Sequence, residues 1–327
     1  MICPHCQKNL LRRQRTNSTC TYCDRVFAFD PKSNDLQLHD IKVRRQAARL
    51  AEGGLSFTPR QLWYSVSRAK ISTHTPLEGW GCGLFLLLTA LVTVFGFAIQ
   101  PSGSVLSAVI AAAVAVLVGG NVVFAALRPF LAARKEIRPP VPEVRFRAML
   151  ADWRRVYGTS PAGMIDTVPP PRVRAPEAAV VCHDETVLDC LTANGFPHRD
   201  KVALATRANG VPPGVPVVLL HDASVTGLRF ATATRTALPG RVVVDAGLRP
   251  STVLRHRGLL RLRGERGSWV ELHDHGLSRE EIEWLTAGWW SPIGAVPPAK
   301  LLSAVDRALA RTDRARAAEV GFMTWPE

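Results

Sequence analysis

The chain has 327 residues and a formal net charge of +14, from 41 Lys and Arg against 27 Asp and Glu. That length admits two or three compact units, and the basic excess suits anionic partners such as nucleic acid or acidic lipid headgroups and disfavours basic ones. Seven cysteines, four of them within the first 23 residues, do not read as a disulfide framework. The polar start does not read as a signal peptide, so a reducing compartment is expected.

The charge is uneven. The first 70 residues hold 13 Lys and Arg against five Asp and Glu, and Arg outnumbers Lys by 34 to seven over the whole chain. Such a bias toward Arg is common in proteins from GC-rich bacterial genomes, so an arginine is not by itself a phosphate ligand.

The pairs CPHC and CTYC give the pattern C-x2-C-x13-C-x2-C with Cys3, Cys6, Cys20 and Cys23. Two residues between cysteines let both thiolates of a turn face one ion, and two such turns complete the tetrahedral sulfur site that Zn²⁺ prefers. With four protein ligands the expected zinc is structural and leaves no open position for catalysis. His5 lies inside the first turn and is not expected to be a ligand. VFAF at 26–29 reads as a closing strand, so residues 1–30 resemble a zinc ribbon. Arg12, Arg13 and Arg15 in its loop are placed to touch phosphates, although ribbons also bind proteins.

Residues 38–72 read as a helical segment containing FTPRQLWYSVSRAK, in which Tyr64 follows Arg60 by four positions on one helix face. From 79 to 127 there is no Asp, Glu, Lys, Arg or His. The runs 79–99 and 105–127, joined by QPSGS, are each long enough at about 1.5 Å per residue to cross a core about 30 Å thick. Arg60, Arg68 and Lys70 precede them; Arg128, Arg134, Lys135 and Arg138 follow. The expectation is a multi-pass inner-membrane protein, anchored in the lipid bilayer by a two-helix transmembrane hairpin with both termini cytoplasmic. No ionisable group lies in either run, which argues against a transport path.

Residues 140–172 are expected to hold a helix of about fifteen residues ending near Gly158, then a proline-rich link. Over 175–260, apolar strands at 178–183, 201–206, 215–224 and 241–248 alternate with helices at 185–194 and 225–238. This pattern predicts a parallel α/β sheet covered on both faces. Ligands gather at the carboxyl ends of such strands, here Cys182, His183, Asp184, His221, Asp222, Ser224 and Asp245. Residues 261–327 read as a helical tail, with SREE from Ser278 as a capping box and Pro297 and Pro298 opening a last helix. HDHG at 273–276 reads as a solvated turn.

RQLWY at 60–64 resembles the Arg-x-Ile-Tyr-Tyr motif of topoisomerase VI A subunits and their meiotic relatives. LLHDASVTGLRF at 219–230 resembles the strand-Asp-x-Asp-Pro-x-Gly-helix turn of their Toprim domain, with Asp222 and Gly227 matching. The resemblance implies a winged-helix tyrosine nucleophile, Tyr64, beside a Toprim sheet whose Glu and Asp-x-Asp bind Mg²⁺. Cys182 stands in place of that Glu and Ser224 in place of the second Asp, so only Asp222 remains. One carboxylate is a poor Mg²⁺ site, and a phenol with a pKa of about 10 needs a metal or base to attack phosphate.

The fold class expected is therefore a multi-domain membrane protein: zinc ribbon, transmembrane hairpin, and a degenerate Toprim-like cytoplasmic domain acting as a non-catalytic scaffold or sensor. Ligand candidates are Cys182, His221, Asp222 and Ser224; Tyr64 and Asp222 are the catalytic candidates. The alternatives are a divergent metal-dependent nuclease, a hydrolase built on a Cys182–His221 pair, and a membrane tether binding duplex DNA through residues 1–70. A further protein partner remains open.

Overall fold

A computed structural model describes residues 1–71, 136–166, 168, 169, 171–264 and 276–323. Its contacts divide the chain into two units, one of Met1–Arg68 with Arg138–Glu327 and one of Ala69–Ile137. The first unit carries the cysteine pairs, the helices and both β-sheets described below.

The membrane expectation is corrected. No helix among the described residues is long and apolar enough to cross a membrane. The longest, Pro298–Met323, carries Asp306, Arg307, Arg311 and Asp313 along its length, whereas a span needs about 20 mostly apolar residues. The runs at 79–99 and 105–127 lie outside the described residues. The transmembrane hairpin and the multi-pass inner-membrane placement are not carried forward.

At the N-terminus two short turns are each closed by an antiparallel bridge, Ile2 to Asn9 and Thr19 to Val26. No strand forms at 26–29. The Ala28 and Phe29 amides instead donate to the Asp40 carboxylate at 2.9 and 2.8 Å, so a side chain takes the place of a strand partner. Asp40 opens helix α1 (Asp40–Leu50) and also accepts from the Tyr157 hydroxyl.

Helix α2 (Pro59–Ile71) starts from a Thr58/Gln61 capping pair: Thr58 N donates to Gln61 Oε1 at 2.9 Å, and Gln61 N to Thr58 Oγ1 at 3.4 Å. Proline at its first position needs no amide partner. Helix α3 (Glu143–Tyr157) ends at Gly158, whose φ of 73° is left-handed. Phe57 then bridges to Met164, which fastens the entry of α2 to the segment after α3.

The sheet contains β1 (Ala178–Cys182), β2 (Val202–Ala205), β3 (Val217–Leu220) and β4 (Val243–Asp245). All pairs are parallel and the order is β2-β1-β3-β4. Strand alternation sorts the core into two layers. Val180, Cys182, Val218 and Leu220 pack with Leu191 of α4 (Glu185–Ala193), Phe196 of α5 (Phe196–Arg199), and Leu301 and Val305 of the long C-terminal helix, α9 (Pro298–Met323). Ala179, Val181, Val217 and Leu219 pack with Ala231 of α6 (Val225–Ala237). Each such wholly buried Val, Leu or Phe contributes about 1.5–3 kcal/mol. The result is a three-layer α/β/α arrangement, the parallel sheet that the alternating pattern predicts.

The third and fourth strands are shorter than expected. Strand β3 ends at Leu220, and Ala223 bridges to Ser291 instead. The tail is not wholly helical either. After α7 (Pro250–Arg255), β5 (Leu262–Arg263) pairs antiparallel with β6 (Trp289–Trp290) around α8 (Arg279–Thr286). The capping box at Ser278 and Glu281 forms as the sequence predicts.

Candidate functional site

The two N-terminal turns bring the Cys3, Cys6, Cys20 and Cys23 sulfurs within 4.8 Å of one another. Cys3 and Cys23 lie 3.9 Å apart, and Cys6 and Cys20 lie 3.8 Å apart. A tetrahedral ion with metal–sulfur bonds of about 2.3 Å has sulfur–sulfur edges of about 3.8 Å, so the cluster fits a metal ion. His5 does not belong to it; its Nε2 faces Val26 O at 2.9 Å.

The thiols are electrostatically unequal. Burial opposes ionisation of Cys20, but the Tyr22 and Cys23 amides and the neighbouring sulfurs outweigh it and bring the pKa down to about 7. The Arg25 amide favours the Cys23 thiolate, yet burial and the bonds to Cys20 and Cys6 push that thiol up to about 12. One thiolate forms readily and the next is resisted. A bound cation removes that resistance.

The second constellation lies at the carboxyl edge of the sheet, where β1 and β3 run side by side and the strand order reverses. Arg60 on α2 reaches it. The guanidinium donates through Nε to Glu143 at 2.8 Å and through Nη1 to Asp184 at 3.0 Å. Asp184 also caps α4, accepting from the Thr186 amide at 3.0 Å and hydroxyl at 2.7 Å. Gly294 presses on the same carboxylate: a Cβ there would lie 2.7 Å from Asp184 Oδ2.

Asp222, just after β3, accepts from Ile293 N at 2.7 Å through Oδ1, while Oδ2 lies 3.4 Å from His183 Nε2. That hydrogen bond raises the His183 pKa against the opposing effect of burial. Ser224 caps α6 by accepting from Gly227 N at 2.9 Å. His221 is wholly buried, and each ring nitrogen faces an oxygen: Nδ1 lies 2.8 Å from Asp222 O and Nε2 3.1 Å from Asp245 Oδ1.

Cys182 sits inside the core with no exposure, and burial pushes its thiol well above the ordinary range. It does not meet His221, whose two nitrogens already have partners. Tyr64 is 8% exposed and packs on Trp63 with ring centroids 4.5 Å apart. Burial raises its pKa far above a free phenol's; Arg60 opposes this, and the charges of Asp222, Asp184 and Glu143 add to it. Nucleophilic use of Tyr64 needs the reverse shift.

Sequence reasoning singled out Arg60 and Asp184 separately but missed that Arg60 joins Asp184 to Glu143. Asp184 carried a local signal, an Asp directly before a helix. Glu143 carried none that pointed 83 residues back to Arg60. Beside these groups a cleft of about 570 Å³ runs between the ends of β1 and β2 and helix α6, with His183, Thr206, Arg207 and Phe230 among its walls.

No known protein family, curated protein or solved structure matches this chain. The resemblance to topoisomerase VI A subunits therefore has no relative behind it. What stands is a four-thiol cluster compatible with a zinc ribbon, and a parallel α/β sheet.

Proposed function

We propose that the chain is a non-catalytic scaffold or sensor, in which a structural zinc holds the N-terminal ribbon and a degenerate Toprim-like sheet presents its carboxyl edge to a ligand or partner. The observation that carries this reading is the Arg60 bridge. An internal guanidinium already neutralises Asp184 and Glu143, and Asp222 already holds a backbone amide and His183. A Toprim-type enzyme needs such carboxylates for Mg²⁺. The cleft beside His183 and Arg207 is where a sensed ligand fits, in keeping with the rule for parallel sheets. Zinc is preferred among metals because four thiolates at tetrahedral spacing are its usual structural set.

One observation favours the enzymatic rival: α2 delivers Arg60 to the sheet edge and sets Tyr64 within the influence of Asp222 and Asp184, the juxtaposition that the topoisomerase resemblance implies. The two readings part in one assay. On the scaffold reading, the purified chain holds about one zinc per molecule by elemental analysis and does not nick supercoiled plasmid in Mg²⁺ or Mn²⁺. Nicking that disappears in Asp222→Ala or Tyr64→Phe overturns it.

A further inference from the structure

The large apolar side chains left in solvent concentrate on the metal-binding turns. Among the described residues, Ile2, Leu11, Tyr22 and Val26 are exposed there, against Val144 alone elsewhere. Tyr22 is both exposed, at 49%, and held in place. Gln14 Nε2 donates to its hydroxyl at 2.7 Å. Gln14 is itself pinned, its Oε1 accepting from Leu11 N at 2.9 Å and its carbonyl from Thr21 N at 3.2 Å. Lys8 Nζ lies 4.7 Å from the ring centroid.

The surrounding charge is positive and uncommitted. Arg12 and Arg13 are exposed in the turn that contains Gln14. Neither they nor Lys8 form an ion pair among the described residues. Arg15 contrasts with them, being buried and paired to Asp30 at 3.3 Å.

We propose that this face of the ribbon binds single-stranded nucleic acid, with a base stacked on Tyr22 and backbone phosphates against Lys8, Arg12 and Arg13. A ring already fixed at its hydroxyl and covered by a cation on one face loses little freedom when a base covers the other. Base–aromatic stacking tolerates any sequence, and unpaired cations along the strand release counterions on binding. Duplex DNA offers the same phosphates, but its bases are already stacked on one another. The ring therefore discriminates for the single strand. An acidic peptide would use the cations and leave the ring idle. The inference goes beyond the scaffold reading and does not depend on it.

The test is fluorescence anisotropy with the full, metal-loaded chain, a fluorescein-labelled oligothymidylate of about 15 nucleotides, and a duplex of equal length. The single strand should bind more tightly than the duplex at low salt, a comparison that needs no variant. Tyr22→Ala should weaken the single strand about tenfold and Tyr22→Phe far less, with zinc content unchanged in both. Arg12→Gln and Arg13→Gln should each lower the slope of log affinity against log salt by about 0.7. The proposal is overturned by any of four results: no binding at low salt, equal binding of duplex, full affinity in Tyr22→Ala, or displacement of the oligonucleotide by polyglutamate of matched charge.

Discussion

Arg60 and Asp184, 124 residues apart in the chain, meet at 3.0 Å and join helix α2 to the carboxyl edge of the sheet. The same guanidinium holds Glu143 of α3 at 2.8 Å. Arg60→Met leaves Asp184 without its cation and Glu143 with Arg147 alone, which holds its other oxygen at 2.8 Å. The arginine side chain is 32% exposed, so solvent screens part of the loss, and a cost of about 2 kcal/mol is expected. Arg60→Lys should recover only part of it, because an ammonium cannot serve both acids as the planar fork does. The urea midpoint at unchanged slope measures this; a midpoint like wild type for Arg60→Met would show the bridge to be inert.

Asp40 is wholly buried and serves the Ala28 amide, the Phe29 amide and the Tyr157 hydroxyl. Asp40→Asn turns one acceptor oxygen into a donor facing a donor, at a cost of about 2–3 kcal/mol. Tyr157→Phe removes one bond to a charged group and should cost about 1–2 kcal/mol. Hydrogen exchange localises the effect: the Ala28 and Phe29 amides should lose protection in Asp40→Asn and keep it in Tyr157→Phe.

Asp245 gives the fold an acid-sensitive element. Burial disfavours its charge, but the hydrogen bond from His221, the Gly247 amide and Arg235 outweigh burial and hold the carboxyl well below the usual range. A folded-state pKa below the unfolded one stabilises the fold above about pH 4, and the contribution is lost as pH falls. Wild type should therefore exceed Asp245→Asn by about 2 kcal/mol at pH 6, and the gap should shrink steadily below pH 4. A gap independent of pH would contradict this.

Gly227 packs directly on the turn that follows β3. A Cβ at this position would lie 2.2 Å from Asp222 O, a backbone atom that cannot swing away. Gly227→Ala should destabilise by about 3 kcal/mol, at the upper end for overpacking, and should disturb His183, which Asp222 positions. Gly240→Ala is the control: its Cβ meets nothing within 4 Å, and only its positive φ of 70° is unfavourable. Thermal melts of the two variants should rank them in that order.

Much of the architecture was legible because it follows from local periodicity. Two matched Cys-x2-Cys pairs can hardly be satisfied except by convergence on one ion, and four apolar runs separated by helices leave little choice but a covered parallel sheet. The Gly227 match in the resemblance also has a local cause, the close approach to Asp222. Val26 to Phe29 misled because an apolar run looks the same whether its amides pair with a strand or with a carboxylate eleven residues away. The uncharged run from 79 to 127 likewise read as a span on hydropathy alone, and no helix among the described residues bears out a membrane crossing.

By itself the sequence determined the four-thiol cluster, the four strands of the parallel sheet with the helices between them, and the capping box at Ser278. Tertiary structure alone decided that Arg60 neutralises Asp184 and Glu143, that both His221 nitrogens are engaged, and that Asp40 fastens the ribbon to α1 and α3. The difference is one of range. Hydrophobic period and ligand spacing act over a few residues, whereas an ion pair or a buried carboxylate depends on where distant segments meet once the core has closed.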